Sequence, residues 1–276
     1  MVRVSVIIPS KEGAYLKYVL SGLMAQTMKP SEIILVLKAC NINFIEKLCK
    51  SYNLSFIILE QKKGYFTHAL NMGKREAKGD IVVFTDEDVI LPKKWLQRFI
   101  ELHNRFPKIV GIFSRDFYIN IDNLRLYPTP DDKPIIRLSR WFIKTWLEQP
   151  HPLLKKYRLG VYITKRLEIT HGPFIPFRTC YSLPFRGVNM SYKNEYIHDV
   201  WFPEHFYLKR GIGNECYFGL QLIMKGLDMI YVPNNPVLHI YRKESLSRTE
   251  KHKEQVLIEK TLMKSLYTKL IKGGMY

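Results

Sequence analysis

The sequence predicts an α/β fold built on a mostly parallel sheet flanked by helices. Short apolar runs rich in β-branched residues recur along the first 115 residues, and segments of helical period separate them. Strands joined by helices of this length pair in parallel and are covered on both faces. Residues 4–8, 32–37, 55–59, 81–85 and 109–113 are the strands, too short for helices. After the first, Leu16, Val19, Leu20 and Leu23 fall at i, i+3, i+4 and i+7, an amphipathic helix. Phe44, Ile45 and Leu48 mark a second helix, and Ala69, Leu70, Gly73 and Ala77 a third that stops at Gly79. Pro92 opens a fourth, with Trp95, Leu96, Phe99 and Ile100 facing inward. Ligands of such sheets sit at the carboxyl ends of the strands.

Residues 116–184 lose this rhythm. Prolines punctuate them, and residues 137–146 interleave arginine and lysine with Trp141, Phe142 and Trp146. The stretch reads as a variable insertion over the sheet, where a partner is recognised. Residues 185–242 resume with a helix at 214–225 and strands at 229–232 and 237–240. Residues 243–276 form a tail with a long helix over 249–271. The organisation is therefore 1–115, 116–184, 185–242 and 243–276.

Forty-three Lys and Arg against 25 Asp and Glu give the 276 residues a net charge of +18. Such a field attracts nucleotides, nucleic acid or an anionic membrane surface, and a lysine-rich solvated surface would produce it too. No apolar run approaches the roughly 18 residues of a membrane span, and the start is too short in its apolar part for a signal peptide. A cytoplasmic protein follows as the expectation, with Cys40, Cys49, Cys180 and Cys216 reduced.

The sharpest chemical signal is Asp86-Glu87-Asp88 directly after an apolar strand. Carboxylates packed this closely repel one another unless a cation sits among them. Mg²⁺ or Mn²⁺ held by carboxylates and substrate phosphates is the usual solution, and the ion stabilises a diphosphate leaving group. A solvated acidic turn capping the next helix is the plain alternative.

Several segments in order resemble glycosyltransferase family 2, inverting enzymes of the Rossmann-like GT-A fold. Val4-Ser5-Val6-Ile7-Ile8-Pro9-Ser10 is similar to the family's opening strand and nucleotide-binding turn. Ala25-Gln26-Thr27 with Glu32-Ile33-Ile34-Leu35-Val36 resembles its next segment. Gly64, Ala69-Leu70-Asn71 and Ala77-Lys78-Gly79-Asp80 lead into a DxD motif, here Asp86-Glu87-Asp88. Arg186-Gly187-Val188-Asn189-Met190 resembles the G-x-N-M turn beneath the acceptor site.

The resemblance implies a GT-A domain with an inserted acceptor-side region and a C-terminal helix. It implies a sugar moved with inversion from a nucleotide-sugar, UDP-linked first and GDP-mannose second, to an acceptor hydroxyl or lipid phosphate. Pro9, Ser10, Glu12, Asn71, Asp86 and Arg242 would meet the nucleotide-sugar; Asp86, Asp88 and His239 would hold the divalent metal, Mg or Mn. Inverting transfer needs a carboxylate to take the acceptor proton. Glu215, in the helix start Gly213-Asn214-Glu215, occupies that place, with Glu204 as a competitor. One departure stands out. The acidic residue expected after the second strand is replaced by Leu37-Lys38-Ala39.

The resemblance implies a glycan, lipid-linked or protein acceptor, and an anionic membrane surface is a further expected partner. Ile258, Leu262, Leu266 and Leu270 recur every fourth residue among basic residues of the tail. Such a stripe suits either an interfacial helix on the inner face of the membrane or a tail packed on the domain. Two other classes stay in view: a nucleotidyltransferase acting on a sugar phosphate, and a non-catalytic basic nucleic-acid-binding protein. The first lacks its glycine-rich basic loop after strand one, and no nucleic-acid-binding signature is present.

Overall fold

The computed structural model describes residues 2–52, 54–127, 129, 138, 148–172, 175–242 and 252–273. β1 (Val4–Lys11) is buried along all but its last residue, as its unbroken apolar run requires. It continues through Pro9 and Ser10, so the turn falls at Glu12 and Gly13, both at positive φ, rather than at residue 9. α1 (Leu16–Met24), β2 (Glu32–Lys38), α2 (Ile42–Lys50), β3 (Phe56–Glu60), α3 (Phe66–Glu76) and β4 (Ile81–Phe84) follow in alternation. β5 (Val89–Ile90), α4 (Trp95–Arg105), β6 (Ile109–Phe113), β7 (Asp116–Asn120) and β8 (Arg125–Tyr127) complete the first half. The rest comprises β9 (Val161–Ile163), β10 (Ile169–His171), β11 (Cys180–Tyr181), β12 (Met190–Lys193), α5 (Asn214–Met224), β13 (Asp228–Tyr231), β14 (Val237–Ile240) and α6 (Lys253–Gly273).

Eight strands form the central sheet in the order β11-β13-β6-β12-β4-β1-β2-β3. β1, β2, β3 and β4 run parallel, whereas β12 lies antiparallel between β4 and β6. Alternate strand residues feed two cores. Ile7, Ile34, Val36, Val82 and Phe84 face one, which includes residues of α3, α5 and α6. Val6, Ile8, Ile33, Leu35 and Val83 face the other, with α1, α2 and α4. Close approach is built into the sequence at Gly79, where a Cβ would stand 2.5 Å from the Ser5 backbone nitrogen. There the Gly79 N–H donates to Ser5 Oγ at 2.7 Å, and Ser5 Oγ donates to Glu32 at 2.5 Å.

A second sheet, β5-β14-β7-β8, stands at the carboxyl edge of the first. The stretch expected as an insertion thus begins with a strand of the site-bearing sheet, β7, and ends with β11 on the central one. Such strands of two to five residues in a proline-rich stretch leave little periodicity to read. Residues 137 and 139–147, which include the basic-aromatic segment's Trp141, Phe142 and Trp146, lie outside the described residues.

α6 packs on α5 with Val256, Glu259, Met263, Tyr267 and Ile271 buried. The buried face is therefore one residue removed from the expected stripe: Ile258 is 38% exposed, and Leu262, Leu266 and Leu270 are only partly covered. Polar residues at two buried positions, Glu259 and Tyr267, moved the hydropathy pattern off the true face. All four cysteines are free thiols.

His103 of α4 is buried and its Nε2 meets Ser191 Oγ at 3.0 Å. Burial drives its pKa down to about 3, so the folded ring stays neutral while the unfolded one protonates below its ordinary value. The unfolded state then binds more protons, and stability falls as pH drops below about 6.5, by up to about 1.4 kcal/mol per unit. His103→Gln should flatten this slope in thermal melts between pH 6.5 and pH 4. An unchanged slope would contradict the assignment.

Candidate active site and metal centre

β4 ends at Phe84 and the chain then turns, so residues 85–88 emerge at the ligand edge of the sheet. The three carboxylates separate at once. Glu87 turns back into the protein, where Ser10 Oγ donates to its Oε2 at 2.7 Å. Ser10 and Pro9 are both buried at the end of β1, so this bond ties β1 to the acidic turn. Asp86 and Asp88 face His239 of β14, and one ligand atom from each of the three lies within 4.8 Å of the others. β14 is brought there by antiparallel pairing of His239 with Val89 on β5.

His239 is held from both sides. Its Nε2 lies 3.2 Å from Asp88 Oδ2 and its Nδ1 lies 3.0 Å from Asp116 Oδ2. Burial opposes charge on the ring, but the bonds to Asp116 and Asp88 outweigh it and hold the imidazole well above its usual pKa. Asp86 has no side-chain hydrogen bond among the described residues, and burial, followed by the charge of Asp88, raises its carboxyl to about 7. Arg242 reaches in from beyond β14, with Nη2 at 2.5 Å from Asp88 Oδ2, Nη1 at 3.7 Å from Glu87 and its guanidinium over the Tyr15 ring.

The residues fit a divalent ion. Two carboxylates and an imidazole converge, and Asp88 Oδ1 is buried with no hydrogen-bond partner among the described residues. Oxygen ligands with one nitrogen suit Mn²⁺ and accommodate Mg²⁺. Asp116 would supply the carboxylate that orients His239 as a ligand through its far nitrogen.

Asp116 escaped the sequence reading, although the signal was there: it stands at the start of β7, three residues beyond the buried strand β6, in the way Asp86 follows β4. Asp116→Asn removes the charge behind His239 but keeps a hydrogen-bond acceptor. Mn²⁺ affinity should drop about 10–100-fold by calorimetry, and wild-type affinity would contradict the role.

Arg186 acts on both Asp116 and the candidate base. Its Nε lies 3.6 Å from Asp116 Oδ1, and its charge acts on Glu215. Glu215 lies in the first turn of α5. Burial raises its pKa above the usual range, and Arg186 opposes this. Glu204 is different. His68 Nδ1 and Asn71 Nδ2 each lie 2.7 Å from its carboxylate, and although burial acts to raise its pKa, these bonds hold it below the ordinary value.

Asn71 itself is buried. It donates to Phe202 O and Glu204 and accepts from the Phe202 N–H, so its polar atoms anchor residues 202–204 instead of facing a ligand. Glu12 is exposed at φ +73, 3.5 Å from Lys11. Lys38, where an acid was expected, donates through Nζ to Gly64 O at 2.5 Å. Asn189 of the G-x-N-M turn accepts from Trp95 Nε1 at 2.9 Å and donates to Arg115 O and Asn235 O. It thereby fixes the chain just before both β7 and β14. Surface cavities of about 590 and 370 Å³ open elsewhere, the larger at the amino ends of β1 and β4 beside Arg3 and Asp80.

The sequence profile described as Glycosyl transferase family 2 matches residues 5–172, more than half of the chain. The chain belongs to glycosyl transferase family 2. Among solved structures it is similar to S. aureus TarS 1-349, at 16% identity and TM-score 0.54, covering 86% of this chain and 60% of that one. The complex of TarS 1-349 with UDP matches at 14% identity and TM-score 0.55, over 87% and 60%. GalNAc-T7 with UDP, GalNAc and Mn²⁺ matches at 15% identity and TM-score 0.63, over 88% of this chain and 44% of that one. These likenesses show the GT-A fold, and the chain spans about 60% of the TarS fragment. No curated protein matches. Family membership supports a glycosyltransferase.

Proposed function

We propose that this family 2 protein is an inverting, metal-assisted glycosyltransferase that uses a UDP-sugar, with GDP-mannose as the second choice of donor. The convergence of Asp86, Asp88 and His239 at the carboxyl edge of a parallel sheet carries this reading. UDP in the TarS and GalNAc-T7 structures, and Mn²⁺ in the latter, support it. Asp86, Asp88 and His239 would hold the ion, which when bound neutralises charge developing on the diphosphate.

The chain's own groups do the rest. Ser10 and Pro9 close the nucleotide end, with Glu12 beside them at the mouth. Arg242 offers a guanidinium to phosphate oxygens, geometry that suits bidentate recognition. Glu215 accepts the proton of the attacking acceptor hydroxyl; its raised pKa brings a carboxylate closer to the range a general base needs near neutrality. The charge of Arg186 favours the ionised form of Glu215 against burial, and its Nε lies 3.6 Å from Asp116.

A thermal-shift screen of nucleotide-sugars with and without Mn²⁺ tests this. UDP-sugars should stabilise the protein only with metal. Stabilisation by no nucleotide-sugar would contradict the proposal.

For the acceptor we propose a glycan, lipid-linked or protein hydroxyl reached from the cytoplasm, with the protein peripheral on the inner face of the membrane. No described helix is long and apolar enough to cross a membrane. The outer face of α6 exposes Lys253, Lys260, Lys269 and Lys272 with Leu257, and the whole chain carries +18. Basic residues beside apolar ones attract an anionic surface by on the order of 1 kcal/mol per cation. Co-sedimentation with anionic vesicles should rise with anionic lipid fraction and fall with salt; none at low salt would leave the acceptor soluble.

A further inference from the structure

Glu259 of α6 is fully buried, and no cation pairs with it among the described residues. A carboxylate in such a place is costly unless its lone pairs are satisfied. They are satisfied from a single segment and one neighbour. Oε1 accepts the Arg210 N–H at 2.8 Å and Gln255 Nε2 at 2.8 Å, and Oε2 accepts the Ile212 N–H at 3.1 Å. Two turns on, Tyr267 Oη donates to the Gly213 carbonyl at 3.0 Å.

The segment so gripped, residues 210–213, delivers the chain into α5 two residues before Glu215. It is intrinsically loose. Gly211 and Gly213 sit at φ +73 and +71, a region only glycine adopts freely, and Gly213 has no side chain with which to cap the helix. A helix that merely covered the core would place apolar residues at 259 and 267. This one spends both buried polar groups on the backbone of the loop before the base.

We propose that α6 is a clamp for the catalytic loop, with Glu259 and Tyr267 as positioning residues for Glu215. The proposal rests on Glu215 being the general base.

The test uses the full chain, with UDP and Mn²⁺ for binding and hydrolysis of UDP-glucose or UDP-N-acetylglucosamine, whichever stabilises the protein, for turnover. Hydrolysis is transfer to water, whose proton Glu215 would take under the proposed function. Displacement of a catalytic group by about 1 Å can cost on the order of 100-fold. Tyr267→Phe, which removes one bond and leaves no cavity, should lower kcat by about tenfold, and Glu259→Gln by about 100-fold, with UDP·Mn²⁺ affinity unchanged.

Met263→Ala on the same buried face should lower Tm more than Tyr267→Phe and leave kcat at the wild-type value. Turnover that tracks Tm across the three variants would reduce α6 to packing and overturn the clamp. So would wild-type kcat in Tyr267→Phe when Glu215→Gln is inactive. Wild-type turnover in Glu215→Gln overturns the clamp as well, and then the fault lies with the base assignment beneath it.

Discussion

Glu215→Gln should bind UDP and Mn²⁺ as the wild type does and lose sugar transfer by about 10²–10⁴-fold, the usual cost of removing a general base. The isosteric amide keeps the packing around the first turn of α5 and cannot accept a proton. Glu215 is not among the residues that would hold the ion, Asp86, Asp88 and His239. Donor binding and turnover must therefore separate in this variant. Glu204→Gln is the control. Its carboxylate is already committed to His68 and Asn71, so the substitution should disturb residues 202–204 and Tm more than the chemistry. An active Glu215→Gln with an inactive Glu204→Gln would reverse the assignment.

Asp88→Asn should cost more than about 100-fold in metal-dependent UDP affinity, beyond the range expected for the supporting Asp116. Asp88 is the only residue of the cluster that touches both His239 and Arg242, at 3.2 and 2.5 Å. Losing its charge removes the carboxylate that both His239 and Arg242 contact in a largely buried place, so Tm should fall too. Titrations with UDP and Mn²⁺ therefore belong well below the melting transition, with circular dichroism to confirm the fold. Unchanged affinity would remove Asp88 from the metal site.

The parallel half of the sheet was legible because β1, β2, β4 and β6 are buried on both faces and read as unbroken apolar runs. Asp86 and Asp88 stood out as candidates because they follow such a strand, and His239 through the family resemblance; the structure brings the three together. β7 was not legible, because Asp116 opens it and Phe117, Tyr118 and Asn120 are only half-buried. Asn71 was assigned to the donor by its position in the motif, whereas the structure gives its amide to residues 202–204, a contact more than a hundred positions away that no local pattern encodes. The tail failed in register alone. Helical period was correct, but Glu259 and Tyr267 are polar residues in buried positions, and their partners lie on the loop before α5.

Inversion is the central claim, and the anomer first released from the donor tests it most directly. Hydrolysis of an α-linked UDP-sugar by the Mn²⁺-loaded protein, followed by proton NMR before mutarotation proceeds, should show the β-anomer first. Initial release of the α-anomer would contradict a single displacement assisted by Glu215.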